Sequence, residues 1–186
     1  HFTSRHYWEV GALDVHANLG WMGRHLDRVG SPDNPLQGLS LDGSLAPALA
    51  SANVPVAALN DPSDYKFWAS GVGGPVDADM LDTFGALSGG ATSDRALAQA
   101  RRATRQTDGL RRTLASFGTI TSSISYPNSG FAKQLKALAK MLADGLPIRC
   151  VAIEGAGGYD TQSSQAASLT RDLKATCDAL KAFQDD

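Results

Sequence analysis

The last third of the chain carries the pattern that most constrains the fold: an amphipathic helix, a short apolar segment, a glycine-rich loop and a second helix follow one another. Apolar residues at helical spacing predict a helix over residues 131–144, and Gly145 and Pro147 predict its end. The next segment, residues 148–153, is short, apolar and rich in β-branched residues, which is typical of a buried parallel strand. With a further helix predicted over 163–183, this succession favours a layered α/β fold with a largely parallel sheet.

The preceding part of the chain predicts shorter elements of the same two kinds. Helices are indicated over residues 20–28, 46–52, 77–87 and 93–117, and short strands over 39–41 and 54–59. Ser93 or Asp94 is expected to cap the longest of these helices. Its predicted buried face consists of Leu97, Ala100, Thr104, Thr107, Leu110 and Leu114. Six arginines lie on its polar side, and we expect them to be solvated rather than to bind phosphate. For the last helix, the predicted buried face consists of Ala166, Leu169, Leu173, Thr176 and Leu180.

The composition is that of one globular domain. With 186 residues, of which 42% are hydrophobic and 19% charged, the chain is long enough to bury one sizeable core, so we expect a single domain over residues 1–186. The formal net charge of -2 provides no general attraction to nucleic acid. No apolar run approaches the ~20 residues of a membrane-spanning helix. Nucleic acid and a membrane span are therefore not expected.

Both ends of the sequence have features of the interior of a longer chain. The first residue is His1 rather than Met, and the helical pattern continues through the last residues without a Gly or Pro stop signal. We therefore expect the domain to be incomplete at both ends. The lack of a signal peptide then carries no information about compartment.

The loop after the predicted strand is the leading candidate site, because ligands of open α/β sheets lie outside the carboxyl ends of the strands. Gly155, Gly157 and Gly158 allow positive φ angles or a close approach of a ligand to the backbone. Asp160 and Thr161 offer a carboxylate and a hydroxyl, a pair that suits a metal ion or a phosphate-like anion. The alternative is structural: Asp160 or Thr161 caps the next helix, and the glycines form a tight turn.

Other chemistries have weaker support. The glycine cluster is also similar to the turn of nucleotide-binding folds, but the acidic residue expected about 20 positions on has no counterpart at the end of a second strand. The four histidines lack the spacing of a self-contained zinc site, and none follows His25, which disfavours a serine hydrolase. Cys150 and Cys177 are expected to be free thiols, with a disulfide between them as the alternative.

Three segments together resemble the domain-of-unknown-function 1501 family. They are residues 1–9 (HFTSRHYWE), residues 20–27 (GWMGRHLD), and residues 131–146 followed by Gly157-Gly158-Tyr159-Asp160-Thr161. The most specific part is a helix that ends at a Gly, a short strand, and then Gly-Gly-aromatic-Asp-Thr-His with a Gln three residues further on, where Gln165 stands here. The resemblance extends over essentially the whole chain.

This resemblance implies an alkaline-phosphatase-like α/β/α fold and export by the twin-arginine pathway to the periplasm or the extracellular space. In that superfamily, carboxylates and histidines at strand ends hold divalent metals that activate a nucleophile and bind a phosphate or sulfate ester. By this resemblance Asp160 is a candidate ligand for zinc, manganese, calcium or magnesium, and His1 and Thr161 are candidate catalytic residues. The expected partner is a small-molecule ester or a surface ligand.

Two departures from the family pattern bear on this expectation. Gln162 stands where the family has a histidine, and an amide is a poorer metal ligand than an imidazole. The family also continues into Ser-Glu-Phe-Gly-Arg-like and Gly-Thr-Asp-His-Gly-like motifs that this sequence does not contain. Two hypotheses follow. The first is a metal-dependent hydrolase in its complete form, of which this segment alone is inactive; the second is a non-catalytic exported or cell-surface binding protein with a degenerate metal site.

Overall fold

The computed structural model describes residues 2–65, 70–73, 75–115, 117, 120–159 and 163–186. Within them the helices are α1 (Phe2–Val10), α2 (Trp21–Val29), α3 (Pro75–Leu87), α4 (Arg95–Ala115), α5 (Gly130–Ala143) and α6 (Gln165–Asp185). The strands are β1 (Gly38–Ser40), β2 (Ala57–Ala58) and β3 (Cys150–Ala152), and short 3₁₀ turns lie at Pro47–Leu49 and Pro62–Asp64. The chain is a mixed α/β protein in which helix predominates.

The three strands form one open parallel sheet in the order β2-β1-β3. Leu39 of β1 pairs with Ala57 on one side and with Val151 on the other. All three residues of β1 are buried, as expected for a central strand of a parallel sheet. The prediction of an α/β fold with a parallel sheet is confirmed.

Helices cover both faces of this sheet, and each face has its own core. On one face Leu39 packs with Leu110 of α4 and Met141 of α5. On the other face Leu26 of α2 packs with Leu49 of the first 3₁₀ turn. Since successive residues of a strand point to opposite faces, β3 contributes Val151 to the first core and Cys150 and Ala152 to the second.

Capping residues define both ends of α5 and the start of α4. The Ser129 side chain accepts a hydrogen bond from the backbone N–H of Ala132. Past the other end of α5, Gly145 has a φ of 73°, a left-handed conformation that glycine adopts at little cost. Asp94 accepts a bond from the N–H of Leu97 at 3.0 Å. The predicted stop at Gly145 and the predicted cap at Asp94 are confirmed.

The segment predicted to be a buried strand is instead a half-buried edge strand of the described sheet. Within the described residues β3 pairs with β1 alone, and its three residues are only partly buried. An apolar composition shows that a strand contacts a core, but it does not show how many neighbouring strands it has. The prediction of full burial for this strand is therefore wrong.

The helix predicted over residues 46–52 is also wrong in length, because only Pro47–Leu49 forms a single 3₁₀ turn. The backbone N–H groups of Ala52, Asn53 and Val54 donate to the Asp27 carboxylate at 2.8–3.1 Å. Groups that bond to a side chain of α2 cannot also bond to carbonyls four residues back, so the turn does not extend.

The predicted burial of α4 holds only for its second half. Leu110 and Leu114 are buried, whereas Leu97, at the other end of the predicted stripe, is 43% exposed. α4 also packs beside α3. Arg105, expected to be solvated, donates to the Ser88 carbonyl just after α3 at 2.8 Å. This bond helps to hold α3 and α4 as a helical hairpin.

The orientation of α6 also differs from the prediction. Asp172, Ala179 and Ala182 are buried, whereas Leu173 and Leu180 are each 46% exposed. The small residues on the buried face allow α6 to pack closely on α5. The spacing of the leucines alone does not reveal this contact.

Two further properties of the described residues bear on the sequence-based expectations. No helix among them combines the length and the apolar character that crossing a bilayer requires. Cys150 and Cys177 are both free thiols, as expected. Burial raises the pKa of the Cys150 thiol, which makes this sulfur less reactive as a nucleophile.

Candidate functional site

The carboxyl ends of the three strands open onto one edge of the sheet, and an acidic residue follows each of them. Asp42 lies two positions after β1, Asp61 three positions after β2 and Glu154 two positions after β3. Because the strands are parallel, the three residues lie at the same edge. Ligands of open α/β sheets bind at this edge.

Two of these carboxylates already have backbone partners. Asp61 accepts bonds from the N–H and the hydroxyl of Ser63, at 2.8 and 2.6 Å, and so caps the second 3₁₀ turn. Asp42 accepts a bond from the N–H of Gly43. Each carboxylate has about four acceptor positions, so both retain the capacity to bind a further donor or a cation.

Glu154 is exposed and lies near a positive charge from α1. Arg5 donates to Glu9 at 2.8 Å, and this hydrogen bond is the main cause that raises the pKa of Arg5. Glu154 makes a smaller contribution in the same direction. The amino-terminal helix, which the sequence analysis does not predict, therefore places a guanidinium near the loop that follows β3.

That loop is closely packed against α6. A Cβ atom on Gly157 would lie 2.6 Å from the Asp172 carboxylate, and the φ of Gly157 is +148°, a region that favours glycine. A Cβ atom on Gly155 would lie 3.4 Å from the Tyr159 ring. The Tyr159 hydroxyl shares a hydrogen bond of 2.6 Å with the Thr176 hydroxyl of α6. Both glycines therefore allow close packing within the protein.

The three predicted site residues, His1, Asp160 and Thr161, lie outside the described residues, as does Gln162. Their assignments stay predictions. The structural alternative, a helix cap by Asp160 or Thr161, falls on the same residues and also stays a prediction; α6 begins at Gln165, and its N-cap position is Ser164, at a left-handed φ of 51°.

A cavity of about 270 Å³ lies at the same edge, beyond β2. Asn60 and Asp61 line one side of it, and Lys133 and Lys136 of α5 line the other. Gln134, also in its wall, donates to the Leu41 carbonyl just after β1 at 2.6 Å. The sequence analysis missed this basic wall. The available signal was a pair of lysines in the first two turns of a helix that begins at the carboxyl edge.

The described residues do not form a metal centre by themselves. Among them, no group of three or more His, Cys, Asp or Glu side chains converges in a way that could hold an ion. His6 lies 3.2 Å from the Asp14 carbonyl through its Nε2 atom, and His16 is exposed. The described carboxylates at the carboxyl edge therefore do not make a metal site on their own.

The nucleotide-binding alternative has little support at the glycine cluster. The Tyr159 ring fills the space beside Gly155, and the Asp172 carboxylate fills the space beside Gly157. A carboxylate at this point opposes a phosphate group, which a nucleotide site would have to place against the glycine backbone. The positions after the loop form α6, as expected, rather than a second strand.

The fold and this edge define a mixed α/β protein with an acidic, open carboxyl edge on a small parallel sheet. Comparisons with protein-family models, with curated proteins and with solved structures give no match to this chain. The family assignment therefore stays a prediction based on the resemblance of the quoted segments.

Proposed function

We propose that the protein, in its complete form, is an exported metal-dependent hydrolase with an alkaline-phosphatase-like fold that acts on a phosphate or sulfate ester outside the cytoplasm. One observation supports this most: Asp42, Asp61 and Glu154 follow the three parallel strands at one edge, and the loop after β3 leads from there into Asp160 and Thr161. The resemblance to the domain-of-unknown-function 1501 family supports the reaction class.

In this proposal Asp160 binds a divalent ion of zinc, manganese, calcium or magnesium. Such an ion, when bound, polarises the ester and stabilises the charge that develops on it. Asp42 and Glu154 are oxygen donors of the type that magnesium, calcium and manganese prefer. Thr161 provides a hydroxyl next to the proposed ligand, and the His1 imidazole is able to transfer a proton near neutral pH.

A second function is a non-catalytic exported or cell-surface binding protein. Gln162 favours it, because this amide replaces the imidazole that the resembled family places after Asp-Thr. In this case the carboxyl edge binds a ligand without metal chemistry. The cavity lined by Lys133 and Lys136 then provides the positive charge for an anionic ligand.

Hydrolysis of p-nitrophenyl phosphate and p-nitrophenyl sulfate by the complete protein separates the two functions. Each of the four metals is supplied in turn, with a chelator as the reference. The hydrolase proposal expects activity that requires metal and that falls at least about a hundredfold in Asp160→Asn and Thr161→Ala. Asp144→Asn is the matched control, because Asp144 is a surface residue paired with Lys140. Activity that depends neither on added metal nor on Asp160 contradicts the proposal. The absence of activity with all four metals favours the binding protein.

A further inference from the structure

A separate groove lies at the opposite, amino edge of the sheet. It has a volume of about 450 Å³ and runs between α4 and the loop that leads into β1. In that loop, Asn34 donates to the carbonyl of Pro147 at 2.9 Å. Because residues 33–36 precede β1 and Pro147 precedes β3, the groove is distinct from the candidate site at the carboxyl edge.

Arginines of α4 line one side of this groove. Arg102 and Arg105 border it, and both also border an adjoining cavity of about 400 Å³ that Arg95 lines as well. Positions seven and three residues apart lie on the same side of a helix, so the three guanidinium groups share one surface. Asp33 is the acidic residue among the lining residues, which leaves the groove with a net positive charge.

The acidic residue is a weak partner for these arginines. Arg102 contacts Asp33 at 3.5 Å, and the two side chains are 43% and 85% exposed. An exposed ion pair at this distance contributes little, so a better acceptor displaces it readily. Arg105 is held in place by its bond to the Ser88 carbonyl, and a guanidinium with five N–H donors retains several after one such bond.

The groove is apolar at its base. Leu36 and Leu110 are 3% and 6% exposed and belong to the main core, and Pro35 and Pro147 form the adjacent walls. A cavity of this size, with apolar walls and a few charged donors, is typical of sites for small organic ligands. The arrangement suits a ligand that has an anionic end and a flat, apolar body.

We propose that this groove binds a small organic oxyanion, namely a phosphate or sulfate monoester with a ring as its body. The oxyanion lies between Arg102 and Arg105, because a guanidinium bonds two oxygens of such a group in parallel. The ring packs on Pro35 and Pro147. Asp33 competes with the ligand for Arg102 and is displaced when the ligand binds.

Titration of the complete protein with phenyl phosphate, phenyl sulfate and inorganic phosphate, followed by NMR at constant ionic strength, tests the proposal. We expect saturable shifts at the backbone amides of Asp33, Asn34 and Leu36 and at the side-chain N–H groups of Arg102 and Arg105. A phenyl ester is expected to bind at least about fivefold more tightly than inorganic phosphate, because its ring buries apolar area. The tighter of the two esters identifies the preferred oxyanion. Equal affinity for inorganic phosphate and both esters contradicts the apolar part of the site.

Three variants separate a built site from general charge attraction. Arg102→Gln is expected to lower the affinity for phenyl phosphate about tenfold. Asp33→Asn is expected to raise this affinity a few-fold, because it removes the carboxylate that competes for Arg102. Arg112→Gln is the matched control: it removes the same charge from α4, but Arg112 bonds Asp82 and Asp108 outside the groove. Thermal melting first shows that each variant is folded. An equal loss of phenyl phosphate affinity in Arg102→Gln and Arg112→Gln overturns the proposal. Unchanged affinity in Asp33→Asn overturns it as well.

Discussion

Gly157 is the residue where the loop after β3 depends most directly on the lack of a side chain. Its φ is +148°, and a Cβ atom there would lie 2.6 Å from the Asp172 carboxylate. Asp172 is buried and held by the Nε of Arg171 at 2.9 Å, so it has little room to move away. The backbone conformation and the packing both require glycine at this position.

Replacement of Gly157 by alanine is therefore expected to lower the free energy of unfolding by about 1–3 kcal/mol, which chemical denaturation measures. Gly158→Ala is the matched control, because no neighbouring heavy atom lies within 4 Å of a Cβ built there. We expect that variant to change stability by less than about 0.5 kcal/mol. Equal effects of the two substitutions would falsify the close packing described for this loop.

Asp27 is the second residue with a measurable individual role. Burial alone acts to raise the pKa of its carboxyl, but the backbone N–H groups of Ala52, Asn53 and Val54 outweigh burial, and the pKa is lowered from 3.8. A carboxyl whose pKa is lower in the folded state stabilises the fold above its unfolded pKa, and this contribution is lost as the pH falls through the folded pKa.

The stability difference between the natural chain and Asp27→Asn should therefore depend on pH. At pH 7 we expect it to be about 1–2 kcal/mol, because the amide cannot form charge-assisted bonds with the three N–H groups. Below about pH 4 the difference should shrink, since the carboxyl becomes protonated. Asp14→Asn is the control: Asp14 is exposed and accepts one N–H bond from His16. A difference that stays constant from pH 7 to pH 3 contradicts this role of Asp27.

At the scale of the elements, α3 and α5 differ in how many apolar side chains they bury. α3 has no buried residue and packs beside α4, whereas α5 buries five residues, including Leu135 and Met141. Local opening is easiest where few apolar side chains are buried. α3 is therefore expected to open more easily than α5.

Amide hydrogen exchange measures this difference directly. We expect the amides of α3 (Pro75–Leu87) to exchange at least about tenfold faster than those of α5 (Gly130–Ala143), because α3 opens without disrupting the core. The amino-terminal half of α4 should exchange at intermediate rates, and its half that contains Leu110 and Leu114 should be as slow as α5. Equal protection in α3 and α5 would show that the hairpin has partners beyond α4.

Some elements were predictable from the sequence, and others were not. α5 was predictable, because its apolar spacing and the stop signal at Gly145 indicate the same helix. The segment that contains β3 was predictable, because it is short and apolar and lies between two helices. The rotation of α6 was not, because the residues it buries against α5 are small, and leucine spacing points to the wrong face. The 3₁₀ turn at Pro47–Leu49 was not predictable, because the Asp27 contacts that follow it are distant in sequence.

The same contrast applies to the candidate site. Its location at the carboxyl edge follows from the order of elements, which the sequence shows. The contact of Gly157 with Asp172 depends on how α6 is rotated, and the nearness of Arg5 to Glu154 depends on α1, which the sequence analysis does not predict. Tertiary contacts of this kind are not encoded in local spacing.

At the scale of the whole molecule, the parallel sheet has two chemically different edges. The carboxyl edge carries Asp42, Asp61 and Glu154. The amino edge carries the groove lined by Arg102 and Arg105. The proposed metal site and the proposed oxyanion groove therefore lie at opposite edges of the sheet, and the two proposals can be tested independently.

Metal binding at the carboxyl edge is the central claim, and equilibrium dialysis with metal quantification tests it most directly. The complete protein and its Asp160→Asn and Asp144→Asn variants are dialysed against zinc, manganese, calcium and magnesium in turn. The account predicts stoichiometric binding of at least one of these metals by the natural protein and by Asp144→Asn, and its loss in Asp160→Asn. The absence of stoichiometric binding for all four metals, or binding that Asp160→Asn leaves unchanged, would contradict it.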